Sequence, residues 1–308
     1  MTGTWPMSHH QRNSQFAEES KLDNPTSYVI TDTKRRASAA FVDGLPISGE
    51  SPAEVLSGIE RGINSRELGH YVSITNTESM YHGLRRPDHG NYIRNADYSL
   101  CDGVGVIVAG WAWGQRIKRY NGPILQLDCS EYGQTRGWRH FYYGGKDGVA
   151  DEMGKRLKEK FPGLIVCGTL TPPFRQLTAE EDAAIVAQIN DTKPDIVWVG
   201  LGLLKQERWV AEHLGRVEAP WMVAVGAAFD YHAGAVPWAP KAIRALGLEW
   251  LFRLIIQPRI RAKRYWWSAV YVIQAFLKGL FTFQFLRKPQ PASLTTAKEH
   301  AEVQGKTR

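Results

Sequence analysis

The largely apolar run Asp195-Ile196-Val197-Trp198-Val199 is followed, after a short link, by Gly202-Leu203-Leu204-Lys205-Gln206-Glu207. A short run rich in β-branched and aromatic residues is typical of a buried strand. In an open α/β sheet, ligands bind just past the carboxyl ends of the strands. Lys205, Gln206 and Glu207 would then begin a helix whose free N–H groups favour phosphate, and a solvated, charged helix start is the alternative interpretation.

The same alternation of strand and helix patterns extends along most of the chain. Strands are predicted at 71–74, 141–143, 164–167, 196–199 and 221–225, and helices at 52–66, 149–161, 178–190 and 206–214. Ser51 and Thr178 each precede a glutamate by three residues, which is the capping-box pattern of a helix start. The stretch between Glu78 and Asp102 is predicted to be helical or irregular. The alternation predicts a Rossmann-like, mostly parallel sheet with helices on both faces.

Composition and length favour a globular protein with attached segments of different character. The chain has 308 residues, of which 43% are hydrophobic and 22% charged. Residues 1–36 are polar, lack the apolar run of a signal peptide and are predicted to be a disordered arm. We expect an α/β core at 37–240, a basic helical appendage at 241–288 and a flexible tail at 289–308. Three widely spaced cysteines fit neither a disulfide framework nor a metal site and favour a reducing cytoplasm.

The positive charge is concentrated in the predicted appendage. Residues 241–288 contain ten basic residues and one acid, so this segment carries nine of the positive charges while the rest of the chain is slightly negative. Tyr265-Trp266-Trp267 precedes an apolar segment at 269–286 that contains Lys278 at its middle. Because a central lysine disfavours a membrane span, we expect a helix lying in the interface of an anionic membrane. Tryptophans beside apolar runs favour lipid over nucleic acid as the partner.

Cys101-Asp102-Gly103-Val104-Gly105 offers a carboxylate on a glycine-flanked turn. Such a turn lets a backbone approach a substrate closely, so Asp102 is a candidate general base or sugar-hydroxyl ligand. The alternative is an ordinary Asp-Gly turn residue that caps the following helix.

Further polar groups follow predicted strands. Asn76 and Glu78 could bind a sugar or nucleotide, and Asn76 could equally cap a helix. Gly144-Gly145-Lys146 could admit a diphosphate, although it matches no standard phosphate-loop pattern. Asp230 is either a hydroxyl ligand or a buried turn aspartate. The nine histidines show no metal-binding spacing.

Taken in order, these motifs resemble those of glycosyltransferase family 26, whose members include N-acetylmannosaminyltransferases of teichoic-acid, enterobacterial common antigen and exopolysaccharide synthesis. The resemblance covers about residues 40 to 265. The matching motifs are Asn76-x-Glu78, Cys101-Asp102-Gly103-Val104-Gly105-Val106, Arg119-x-x-Gly122, Gly144-Gly145, Gly202-x-x-Lys205-Gln206-Glu207, Phe229-Asp230-x-x-x-Gly234 and Gly247-Leu248-Glu249-Trp250-Leu251-x-Arg253-Leu254.

The resemblance implies an inverting transfer of a sugar from a UDP-sugar to a polyprenyl-diphosphate-linked glycan, with Asp102 as the general base and no metal cofactor. It also implies a peripheral location on the cytoplasmic face of the inner membrane and a possible homo-oligomer. The implied substrate-binding residues are Asn76, Glu78, Arg119, Gly144, Gly145, Gly202, Lys205, Gln206, Glu207, Asp230 and Arg253.

Departures from the family pattern leave the donor sugar open. Ile74 replaces a common threonine, and Trp238 replaces the arginine of an Arg-Ala-Pro motif. The donor could therefore carry an N-acetylmannosamine-type unit or glucose. Two other functional classes are weighed: a non-catalytic membrane-surface binding protein, and a nucleotide-sugar oxidoreductase, which would need a dinucleotide fingerprint that this sequence lacks.

Overall fold

The computed structural model describes residues 39–286, apart from the side chains of Ile260 and residues 283–286. The predicted disordered arm at 1–36 and the predicted flexible tail at 289–308 lie outside the described residues. The division between a core at 37–240 and an appendage at 241–288 stays a prediction.

A six-stranded parallel sheet forms the centre of the fold, as the alternating pattern predicts. Its strands are β3 (His70–Thr75), β4 (Tyr98–Cys101), β5 (Arg139–Gly144), β6 (Ile165–Leu170), β7 (Ile196–Gly200) and β8 (Trp221–Ala224). They lie in the order β4-β3-β8-β7-β5-β6, and every neighbouring pair is parallel. A separate antiparallel hairpin joins β1 (Ala40–Val42) to β2 (Leu45–Ile47).

Helices cover both faces of the sheet. They are α1 (Pro52–Ser65), α2 (Thr77–Gly83), α3 (Pro87–Asn95), α4 (Val104–Ala112), α5 (Gly122–Gly133), α6 (Val149–Lys160), α7 (Ala179–Asp191), α8 (Lys205–His213), α9 (Ala228–His232), α10 (Lys241–Ala245), α11 (Glu249–Ile256) and α12 (Pro258–Leu286). Both predicted capping boxes are present, at Ser51 with Glu54 and at Thr178 with Glu181.

The sequence pattern does not predict strand β4, because it indicates helical or irregular structure up to Asp102. Its four residues include buried Ser99 and lack a continuous apolar run. Ser99 is accommodated by hydrogen bonds: its N–H donates to Ser48 Oγ at 2.8 Å, and its hydroxyl lies 2.8 Å from Thr75 Oγ1. Long-range polar pairing therefore stabilises a strand that local hydrophobicity does not indicate.

The core lies on both faces of the sheet, because successive residues of each strand point to opposite sides. Val197 and Val199 pack into one hydrophobic cluster, while Ile196 and Trp198 pack into the other. This double burial explains why β7 is nearly continuous in apolar residues.

Helix α12 packs against α4, so the segment predicted to lie in a membrane interface is partly buried in protein. Tyr271 and Ala275 are almost fully buried, and Trp113 Nε1 donates to the Ala275 carbonyl at 3.1 Å. Lys278 pairs with Asp43 in the hairpin turn. Within residues 39–286, no helix has the length and apolar character needed to cross a membrane.

Candidate active site

The direction in which the chain connects successive strands reverses between β5 and β7. The chain leaves β5 through α6 toward β6 at one edge, whereas it leaves β7 through α8 toward β8 in the opposite direction. Helices α6 and α8 accordingly pack on opposite faces of the sheet. Neighbouring strands whose connections diverge in this way leave a crevice at their carboxyl ends, which is the usual ligand site of such folds.

Glycines line this crevice. Gly144 has φ +117°, and a Cβ there would lie 2.6 Å from the carbonyl oxygen of Gly200. Gly145 N donates to the same oxygen at 2.9 Å. Gly202 has φ +86° and open space where a side chain would be. Gly144 is therefore required for the close approach of β5 to β7, whereas Gly202 leaves open space after β7. Contacts of Gly144, Gly145 and Gly202 with a substrate stay predictions.

The side chains of Lys205, Gln206 and Glu207 differ in burial. Lys205 is exposed, and its Nζ lies 4.6 Å from the centre of the Phe174 ring. Gln206 is buried, receives a hydrogen bond from Gly202 N at 3.2 Å and donates to Glu207 Oε1 at 3.0 Å. The alternative interpretation, a solvated helix start, is therefore wrong for Gln206 and Glu207. Their buried side chains hydrogen-bond to each other, and Gln206 also holds Gly202.

Glu207 is a buried carboxyl group with incomplete hydrogen bonding. Only 3% of the residue is exposed, and Oε2 has no partner among the described residues. Burial raises the pKa of Glu207 to about 7, although hydrogen bonds, including the one from Gln206, oppose the shift.

Asp102 lies at the carboxyl end of β4, near the other edge of the sheet. Its N–H donates to the Thr75 carbonyl at 2.9 Å, and Gly103, with φ +114°, turns the chain into α4. The carboxyl group is half-buried, and burial raises its pKa above the ordinary range. Arg253 and Arg119 oppose this shift. Asp102 therefore has a carboxylate of increased basicity next to two cations, which suits a general base.

Arg119 and Arg253 meet at Glu249. Arg119 donates from Nη2 to Glu249 Oε2 at 2.5 Å, and Arg253 donates from Nη2 to Glu249 Oε1 at 3.2 Å. The carboxylate of Glu249 contributes a further upward shift to the pKa of Asp102. Two distant parts of the chain, Arg119 and the Glu249–Arg253 pair of α11, thus place charges of both signs near the candidate base.

Three arginines at this place have unused donors. The Nε atoms of Arg119, Arg244 and Arg253 are buried without a hydrogen-bond partner in the described part of the chain. A cluster of guanidinium groups of this kind is chemically suited to an anion.

Trp238 lies where the sequence resemblance implies an arginine. The Arg244 guanidinium lies 3.7 Å from the centre of the Trp238 ring, and Arg119 donates to the Arg244 carbonyl at 3.0 Å. A guanidinium is therefore present beside position 238 although the residue there is tryptophan.

Asn76 and Glu78 lie next to the Asp102 turn at the start of α2. Asn76 caps this helix by accepting a hydrogen bond from Ser79 N at 2.9 Å, which is the structural alternative for that residue. Glu78 forms an ion pair with Arg264 of α12, with Arg264 Nε 2.9 Å from Oε2. Both are at the site's edge, and their predicted contacts with substrate stay predictions.

Asp230 lies in α9, beyond the end of β8, rather than in a turn directly after the strand. It is half-buried, and burial raises its pKa while Lys146 and Arg261 oppose the shift. The charge of Lys146, in the loop after β5, therefore reaches Asp230 although β7 lies between β5 and β8. Within residues 39–286, no three histidine, cysteine or acidic side chains are grouped so as to hold a metal ion.

Residues 41–284 match the model of the glycosyl transferase WecG/TagA/CpsF family. The chain belongs to this family. It is accordingly a glycosyltransferase, and the resemblance seen in the sequence motifs is confirmed, as is the predicted fold class.

Two relatives from Staphylococcus aureus share one name. This glycosyltransferase is 25% identical over 227 residues to the N-acetylglucosaminyldiphosphoundecaprenol N-acetyl-beta-D-mannosaminyltransferase of Staphylococcus aureus strain NCTC 8325 / PS 47, covering 72% of this chain and 87% of the relative. The protein of the same name from strain MW2 matches with the same identity and coverage.

Four residues of the site were not among the predicted ligands: Phe174, Arg244, Glu249 and Arg261. Glu249 stands inside a motif used for the resemblance, so a signal was present in the sequence. Phe174 follows two prolines in a loop and has no such signal. Arg244 and Arg261 belong to the basic segment, in which charge alone does not show that Arg244 lies over Trp238 or that Arg261 lies near Asp230.

Proposed function

We propose that this glycosyltransferase moves a hexosyl or N-acetylhexosaminyl unit from a UDP-sugar to a polyprenyl-diphosphate-linked sugar, with inversion at the anomeric carbon. The observation that carries the proposal is the Asp102 carboxyl group, basic through burial and flanked by Arg119 and Arg253 at the carboxyl edge of the sheet. The acceptor class is supported by the names of the relatives, which are N-acetyl-mannosaminyltransferases acting on N-acetylglucosaminyldiphosphoundecaprenol.

In the proposed reaction, Asp102 accepts the proton of the acceptor hydroxyl as its oxygen attacks the anomeric carbon. The bond from that carbon to the diphosphate breaks, and UDP leaves with both bonding electrons. The developing negative charge needs cations or N–H dipoles close to it. The positive charges of Arg119, Arg244 and Arg253 are suited to this role, and we propose that they make a metal ion unnecessary.

The proposed donor spans the carboxyl edge of the sheet. The uridine end lies over the glycine crevice of β5 and β7, and the sugar points toward Asp102 after β4. Three strand spacings, about 14 Å, separate β7 from β4. A diphosphate between the uridine and the sugar would lie beside Arg119, Arg244 and Arg253.

Phe174 is the proposed platform for the uracil base. It is 99% exposed, which is unusual for a phenylalanine, and it follows β6 at the outer side of the crevice. Its loop is held at both ends: Thr171 Oγ1 donates to the Gly144 carbonyl at 3.2 Å, and Arg175 makes two 2.6 Å hydrogen bonds to Glu181. An exposed aromatic ring next to a lysine, on a loop tied down on both sides, is suited to a planar base.

The enzyme is proposed to work peripherally at the cytoplasmic face of the inner membrane. Support comes from exposed apolar side chains on α11 and α12: Trp250, Ile255, Trp266, Ile273, Leu277 and Phe281. The basic residues between them would face anionic lipid.

The test is UDP release by purified protein with a panel of UDP-hexoses and UDP-N-acetylhexosamines and a prenyl-diphosphate-linked acceptor. Acceptor-dependent turnover with one donor is expected, insensitive to EDTA. Asp102→Asn should reduce kcat by about 10²–10⁴-fold, the usual contribution of a general base. Asp191→Asn, which changes an exposed carboxylate at the end of α7, should leave turnover unchanged. Full activity in Asp102→Asn would refute the assigned base.

A further inference from the structure

A groove lies between α2 and α12. It has a volume of about 430 Å³, and its lining includes Glu78, Tyr81, Arg259, Lys263, Arg264 and Trp267. Nothing in the donor site described above uses this groove.

The groove has an excess of positive charge. Arg264 is neutralised by Glu78, whereas Arg259 and Lys263 make no ion pair within the described residues. These two cations stand one helical turn apart on α12, where like charges repel. His82 adds no further charge near neutral pH, because burial lowers its pKa. An anion with more than one oxygen, bound between Arg259 and Lys263, would remove the repulsion.

Aromatic rings stand beside these cations. Trp267 is 48% exposed, and its ring centre lies 6.4 Å from that of Tyr81. Arg85 covers Tyr81 with its guanidinium 3.8 Å from the ring centre. The groove thus combines free cations with a partly uncovered apolar wall, which fits an anion that carries a hydrocarbon chain.

The groove begins next to the candidate base. Glu78 lies in the first turn of α2, and the preceding Thr77 packs so closely on the Asp102 turn that a side chain at Gly105 would collide with it. A sugar attached directly to an anion in the groove would therefore extend toward Asp102.

We propose that this groove binds the diphosphate and first isoprene units of the lipid-linked acceptor, with Arg259 and Lys263 on the diphosphate and Trp267 on the hydrocarbon. The inference rests on the proposed function and specifies its acceptor site. An anionic phospholipid headgroup shares the phosphate chemistry and is distinguished by the experiment.

The experiment measures binding of farnesyl diphosphate and, separately, of UDP by calorimetry in detergent solution. The variant is Arg259→Gln/Lys263→Gln, and the matched control is Lys155→Gln/Lys158→Gln, which removes two exposed charges from α6. We expect the groove variant to bind farnesyl diphosphate at least about tenfold more weakly, as the loss of charge-assisted hydrogen bonds implies. UDP affinity should stay unchanged in both variants, which also shows that they are folded.

Trp267→Ala tests the aromatic wall. It should weaken binding of farnesyl diphosphate while leaving the binding of inorganic pyrophosphate unchanged. Equal weakening of both probes would contradict the role given to the ring.

Three other outcomes overturn the inference in distinguishable ways. If the groove variant binds farnesyl diphosphate like the wild type while UDP binds normally, the acceptor site is elsewhere and the proposed function stands. If the groove variant loses only its binding to phosphatidylglycerol vesicles, the groove binds lipid headgroups. If the folded wild type binds no UDP, the proposed function fails and the inference fails with it.

Discussion

The Arg119 guanidinium lies 2.5 Å from the Glu249 carboxylate, although 130 residues separate the two in sequence. Glu249 also accepts a hydrogen bond from Arg253, so a single carboxylate occupies the space between two arginines that have unpaired Nε groups. Glu249 thereby holds the cations beside Asp102 while its own charge raises the pKa of that residue.

Glu249→Gln should shift the acidic limb of the pH profile of kcat/KM to lower pH. Removing the negative charge lowers the pKa of Asp102, and the base then remains deprotonated in more acidic solution. Arg253→Gln should shift the same limb to higher pH, because Arg253 lowers that pKa. Shifts in the same direction for both variants would contradict the assignment of this limb to Asp102.

Phe174→Ala should raise the KM for the UDP-sugar about tenfold or more with little change in kcat, because stacking on an aromatic ring contributes roughly 1–3 kcal/mol per base. Phe174→Tyr should restore donor binding. Steady-state kinetics at saturating acceptor measure both effects. Phe41→Ala removes another exposed phenylalanine, on β1, and serves as the control. An unchanged donor KM in Phe174→Ala would exclude the ring from the donor site.

Glu207→Gln should make the protein more stable at pH 8 than the wild type. The native carboxyl group has a pKa of about 7 against an ordinary value of 4.5, so the native state binds more protons between these values. Wild-type stability therefore falls as pH rises through this window, by about 3 kcal/mol. Urea unfolding at pH 5 and pH 8 measures the free energy of unfolding at each pH. The decrease between these pH values should be absent in the variant. Parallel pH dependence in the two proteins would count against an elevated Glu207 pKa.

Gly144→Ala should destabilise the protein by roughly 2–4 kcal/mol and reduce donor affinity. The methyl group would meet the Gly200 carbonyl at 2.6 Å in a backbone conformation with φ +117°. Gly137→Ala provides the comparison: its φ is also positive, at +70°, but its surroundings are open, so about 1 kcal/mol is expected. If urea unfolding shows that both variants lose the same free energy of unfolding, backbone strain alone, rather than the Gly144–Gly200 contact, explains the destabilisation.

Strands with continuous apolar runs could be predicted from the sequence, because burial on both faces needs nothing but local hydrophobicity. Strand β7 is the clearest case. Strand β4 could not, since Ser99 is buried only through hydrogen bonds to Ser48 and Thr75 from other segments. Similarly, Lys278 suggested a helix at a membrane interface, and its partner Asp43 lies 235 residues away in sequence.

The sequence by itself determined the parallel α/β class, the capped helix starts, the glycine turns and the family, because each depends on residue type and spacing along the chain. Only the tertiary structure decided that Gln206 and Glu207 turn inward while Lys205 faces Phe174, and that Glu249 holds Arg119 and Arg253 around Asp102. Those arrangements depend on burial and on the distance between charges, which are set when strands and helices far apart in sequence pack together.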